Sequence, residues 1–155
     1  MTSDSKRPTR PDADAPESIP VALLERYGAR LARFDKEAVI FDQGDPATHF
    51  HQVASGRVQM VVTSERGRAF TQGYFSAGQG FGEPPLFSGT AYPASALAVE
   101  ESTVWKCPRA AFFKLLTEHA DVHLALTTAL ARRLVYKAMM LGELAVEEAQ
   151  HRLVA

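Results

Sequence analysis

The chain has 155 residues, 46% of them hydrophobic, which suits one domain with a core of its own. Its 17 basic and 18 acidic residues leave a net charge of −1, so no strong field is available for gripping nucleic acid directly. A single cysteine, Cys107, excludes an intrachain disulfide framework and a cysteine-ligated iron–sulfur cluster, which needs about four thiolates.

The N-terminal MTSDSKRPTR has no apolar run, and no stretch reaches the roughly 18 apolar residues of a membrane span. A soluble, cytoplasmic protein with no membrane partner is expected. Residues 1–18 are polar and broken by Pro8, Pro11 and Pro16, the composition of a disordered tail. Leu23, Leu24, Tyr27 and Leu31 then recur at helical spacing and predict a short helix over residues 20–33.

From Val39 the period changes to two. Val39 and Phe41 alternate, QGDPA supplies a turn, and Phe50 and Val53 fall in the next short strand. After the Ser55-Gly56 turn, Val58, Met60 and Val62 alternate strictly, as in a half-buried strand. Residues 65–68 form a polar turn before a strand with Phe70, Gln72 and Tyr74; residues 94–98 and 103–107 supply two more. Short strands at this turn spacing predict a small antiparallel sandwich or barrel. Helical period returns after Pro108, which suits a helix's first turn, with Ala111, Phe112, Leu115 and Leu116. A long helix free of proline is predicted from about Asp121. Leu126, Leu130, Leu134, Leu141 and Leu144 fall near one stripe of it. It exceeds the usual globular range of roughly 8–20 residues, so its surplus apolar surface predicts a two-helix dimer seam.

Chemistry-bearing residues concentrate in GFGEPPLFSGTAYPASALA, residues 80–98. Gly80 and Gly82 leave room for close backbone approach, unless they only turn a corner of the roll. The N–H groups opening a short helix at residues 84–87 attract an anion, and Glu83 can accept hydrogen bonds from a ligand hydroxyl. His49 and His51 share one strand face, as metal-binding cupins arrange theirs. No nearby glutamate or third histidine completes that site, and exposed or capping roles are expected instead. His119 and His123, four apart, could share a helix face and hold a metal or a haem iron. Cys107 ends an apolar strand near Trp105 and is expected to be a buried, inert thiol. No nucleophile–base pair is visible, which argues against an enzyme.

The order of helix, glycine-turned roll, short helix and long helix resembles the effector domain of the cyclic AMP receptor protein/Fnr (Crp/Fnr) family of bacterial transcription regulators. VIFDQGDPATHFHQVASGRVQMV, GQGFGEPPLFSG and the ARRL–GELA–RL series carry the resemblance over roughly residues 31–153. It implies a mainly β fold: a cyclic-nucleotide-binding-type antiparallel β-roll, or jelly roll, with a short N-terminal helix and a long C-terminal dimerisation helix. The expected domains are a sensor roll at 19–119 and a dimerisation helix at 120–155. The family's DNA-reading winged helix-turn-helix is absent from this chain. The helical pattern has no cap at Ala155, which suggests a fragment.

The resemblance also shows where the chain departs. In nucleotide-binding relatives the glutamate matching Glu83 holds the ribose hydroxyl, and an Arg-Ser/Thr-Ala triplet neutralises the phosphate. Pro93 stands at that arginine's place, followed by Ala94 and Ser95, which the resemblance leaves as candidate ligand-binding residues, Ser95 through its hydroxyl. Proline offers neither charge nor N–H, and a buried phosphate without a cation is costly. The adenine-reaching hydroxyl residues align with Lys137 and Ala138; only Lys137 could meet an anion. The expected function is effector sensing and homodimerisation in a transcription regulator, without the usual cyclic AMP contacts. The effector is an unknown small molecule, and no cofactor is certain. A haem- or metal-dependent gas sensor of the same family, a stand-alone interaction module with an empty pocket, and a cupin-type metalloenzyme stay open as alternatives.

Overall fold

The computed structural model describes residues 18–154. In chain order it contains α1 (Val21–Arg26), β1 (Arg30–Phe34), β2 (Val39–Phe41), β3 (His49–Ser55), β4 (Arg57–Thr63), β5 (Ala69–Ser76) and β6 (Gly80–Phe81). There follow α2 (Pro84–Ser88), β7 (Ser95–Ala98), β8 (Ser102–Pro108), α3 (Arg109–Glu118) and α4 (Ala120–Val154). The tail expected at residues 1–18 lies, apart from Ser18, outside the described residues.

Alternation along the strands produces two antiparallel four-stranded sheets, ordered β1-β8-β3-β6 and β2-β7-β4-β5. Their facing sides meet in one core. Val53, Phe81 and Val104 come from the first sheet; Phe41, Val58, Met60 and Ala96 come from the second, with Tyr92 and Ala94 leading into it. These nine side chains are 7% exposed or less, and removing such surface from water supplies the main drive for closing the roll. β5 contributes less: Phe70 is 58% exposed and Tyr74 37%. Behind the first sheet, the Phe50 ring stacks on Phe112 of α3 with centroids 4.4 Å apart. Gln52 fixes the start of the described chain there. Its Nε2 donates to Ile19 O and its Oε1 accepts from Ile19 N, both at 3.0 Å.

Three elements differ from the sequence expectation. The helix expected at residues 20–33 ends at Arg26, and residues 30–34 form β1 instead. Gly28, at φ 83°, reverses the chain, and β1 then pairs with β8 in the register Leu31↔Trp105. Tertiary pairing overrides a helical spacing that carried Leu31, which is 51% exposed in its strand. β6 is an additional two-residue strand, paired to β3 through His51↔Phe81 and Gln52↔Gly80. Pro108 closes β8 and caps α3 rather than sitting inside its first turn.

Among the described residues, the roll through Ala120 forms one compact unit and the helix from Asp121 another. α4 runs for 35 residues. No helix is long and apolar enough to cross a membrane among the described residues.

Candidate functional site

Residues 80–98 fold as β6, α2 and β7, so the cassette is a corner between the two sheets. Pro84 and Pro85 open α2, where their missing N–H groups cost nothing. Gly82 sits at φ 74°, and a Cβ there would come within 3.3 Å of both Phe41 and Tyr92 ring atoms. Those two rings stack on each other, centroids 3.7 Å apart and 9° from parallel. The space that glycine opens toward the core is therefore filled by the chain's own aromatic pair.

Gly80 faces the other way. Gln52, its partner, lies on the side of β3 that carries Phe50, opposite the side carrying His51. A Cβ at Gly80 would lie 2.7 Å from Glu83 Oε1 and 3.0 Å from the Phe50 ring. Glu83 is 1% exposed, with Oε1 on the Phe50 side of the sheet. The structure thus places Gly80 and Glu83 together, with Gly82 next in chain but turned to the opposite face.

Pro93 is exposed, while its neighbours Tyr92 and Ala94 turn into the core at 3% and 0% exposure. Ser95 Oγ is taken by Gln43 N–H, which donates to it at 2.8 Å. Lys137 and Ala138 are exposed on α4. Of the stripe residues on α4, Leu126 is buried and Leu130 half-buried, whereas Leu134, Leu141 and Leu144 are 70%, 67% and 60% exposed. A second exposed apolar row, missed in the sequence, holds Leu124, Val135, Met139, Val146 and Leu153.

The histidines correct two expectations. His119 ends α3 in a non-helical conformation (φ −128°), so it shares no helix face with His123. Its ring meets Tyr27 edge-on instead. His51 is neither exposed nor capping: it is 2% exposed, 5.2 Å from the Phe41 and Phe81 ring centroids. Burial, with help from nearby Lys106 and His49, pushes its pKa down to about 3, so it is neutral at physiological pH. Its Nδ1 is buried with no hydrogen-bond partner among the described residues. Burial and Lys106 also lower the pKa of His49. The signal for His51 was its place two residues before Val53, on the same inward face. No group of three or more His, Cys, Asp or Glu side chains suited to a metal occurs among the described residues. Cys107 is fully buried, and desolvation pushes its thiol up to about 11, away from the reactive thiolate.

Residues 31–119 match the family model described as the cyclic nucleotide-binding domain. The chain is 33% identical over 138 residues to the cyclic AMP receptor protein of Thermus thermophilus, covering 89% of this chain and 62% of that protein. It is 27% identical over 96 residues to lysophospholipase NTE1 of Phaeosphaeria nodorum, but that match spans 62% of this chain and 6% of the enzyme. The crystal structure of the Thermus thermophilus catabolite activator protein superposes with a TM-score of 0.77 at 32% identity, over 85% of this chain and 62% of that one. The sensor domain of the transcriptional regulator DNR from Pseudomonas aeruginosa gives 0.64 at 28% identity, over 75% and 77%. With its roll, its cassette corner and this match over residues 31–119, the chain belongs to the cyclic nucleotide-binding domain family, in a form similar to the Crp/Fnr regulators.

Proposed function

We propose that the chain is the effector-sensing and dimerisation part of a Crp/Fnr-type transcription regulator, and that it does not hold cyclic AMP by the usual contacts. One observation carries the second half: the Phe41–Tyr92 stack occupies the space over Gly82, while Pro93 stands where the resemblance expects arginine. A cyclic phosphate entering there would meet aromatic rings and no cation, at the full cost of its desolvation. The first half is supported by the similarity to the Thermus regulator and to a regulator's sensor domain. DNA contact is assigned to the part of such regulators that this chain does not span, and the protein is placed in the cytoplasm. No catalytic role is assigned, because the lysophospholipase similarity lies within a 6% share of that enzyme.

The exposed Leu134, Leu141 and Leu144, whose apolar surface water disfavours, support the reading that α4 dimerises. A bound effector would then act by preferring one arrangement of the paired helices. Calorimetry with cyclic AMP and cyclic GMP tests the ligand reading. No heat of binding is expected at micromolar concentrations; micromolar affinity for either nucleotide overturns it.

A further inference from the structure

Arg109 stands where β8 ends and α3 begins. Its backbone N–H donates to Thr48 O at 2.9 Å, tying this junction to the turn before β3. The side chain is held twice more: Nε donates to Leu86 O at 3.0 Å, and Cζ lies 4.9 Å from the Phe113 ring centroid. An arginine at the surface is ordinarily a free rotor that loses entropy on binding. This one is already anchored through Nε and ring stacking. Among the described residues it forms no ion pair with a carboxylate.

The same arginine lines a recess of about 370 Å³, walled by Pro46, Ala47, Pro85 and Ala91 with Thr90 beside them. Gly44 and Gly89 complete the wall, and a Cβ at either would meet no atom within 4 Å, so the space is open. The recess is shallow and open to water: Gly44, Pro46, Gly89, Thr90, Ala91 and Arg109 are exposed, Ala47 is half-buried and Pro85 is buried. The side chains around it are apolar except for the Thr90 hydroxyl and the Arg109 cation. It suits a molecule with a compact apolar body and a single anionic head.

We propose that this recess binds a small organic anion, its carboxylate or phosphate head held by the Arg109 guanidinium and its body by the proline and alanine walls. The site lies apart from the core stack, and its consequence reaches that stack through the backbone. Ala91 bridges to Pro46, Tyr92 N–H donates to Asp45 O at 2.9 Å, and Gly44 N–H donates to Tyr92 O at 2.8 Å. The segment that walls the recess therefore also carries Tyr92 onto Phe41.

The test is amide NMR of the ¹⁵N-labelled chain titrated with phenyl phosphate, benzoate and inorganic phosphate. Saturable shifts are expected at Gly44, Ala47, Gly89, Thr90 and Ala91 with phenyl phosphate or benzoate, and whichever binds more tightly identifies the preferred head. Arg109→Gln should weaken that binding about tenfold or more, and Arg109→Lys should also weaken it because an ammonium lacks the planar fork. Ala91→Leu, which fills the recess and leaves Arg109 in place, should abolish it. Unchanged amide dispersion elsewhere verifies that each variant is folded. The proposal is overturned if neither organic anion gives saturable shifts, if affinity survives Arg109→Gln and Ala91→Leu, or if shifts scatter over the basic surface. Inorganic phosphate binding as tightly as phenyl phosphate would overturn the role of the apolar walls.

Discussion

His51 places a titratable ring among the aromatic side chains of the core, with Lys106 and His49 near it. Its folded-state pKa of about 3 lies below the 6.5 of a solvated imidazole. As pH falls below that upper value, the unfolded chain takes the proton and the folded chain refuses it until the lower one. The contribution to stability is thus complete above the window and is lost within it, by up to about 1.4 kcal/mol per pH unit. Urea unfolding at neutral pH and near pH 4.5 should show this loss, and His51→Phe should flatten the difference. Gly82→Ala should destabilise by about 1–2 kcal/mol from its left-handed backbone alone, with more from contact with Phe41 and Tyr92; urea midpoints check it. At this scale the sequence was legible for chemistry and poor for placement. Pro93 stands where the resemblance expects an arginine, whereas the alternation of His51 with the inward Val53 was outweighed by the usual preference of a histidine for the surface.

Strands with uninterrupted alternation were readable because one face of each meets the core: Val58 and Met60 in β4, and Val104 in β8. β1 was not, because four apolar residues at helical spacing spanned both α1 and β1. Only the pairing with β8 separates them. β6 was too short for any periodicity. The energetics differ between elements in a way mutagenesis can read. Phe112→Ala removes the ring stacked on Phe50 and should cost about 3–5 kcal/mol in chemical denaturation. Phe70→Ala, on a strand where that ring is 58% exposed, should change stability by no more than about 0.5 kcal/mol.

For the whole molecule, most of the large exposed apolar side chains among the described residues lie on α4. Its 35 residues carry two exposed apolar rows, one at Leu134, Leu141 and Leu144 within the leucine spacing and one at Leu124, Val135, Met139, Val146 and Leu153. If the helix pairs with a second copy, Leu134→Lys combined with Leu141→Lys should halve the mass seen by sedimentation while near-ultraviolet dichroism of the roll persists. A wild-type chain that sediments as a monomer well above micromolar concentration would contradict the paired helix. The sequence alone determined the alternating strands of the roll other than β1 and β6, the family resemblance and the proline at residue 93, since each depends on local pattern or on residue chemistry. Tertiary structure alone decided that the corner over Gly82 is filled. Phe41, His51 and Tyr92 lie far apart along the chain and meet only when the two sheets close, and local patterning carries no information about which side chains will occupy the same space.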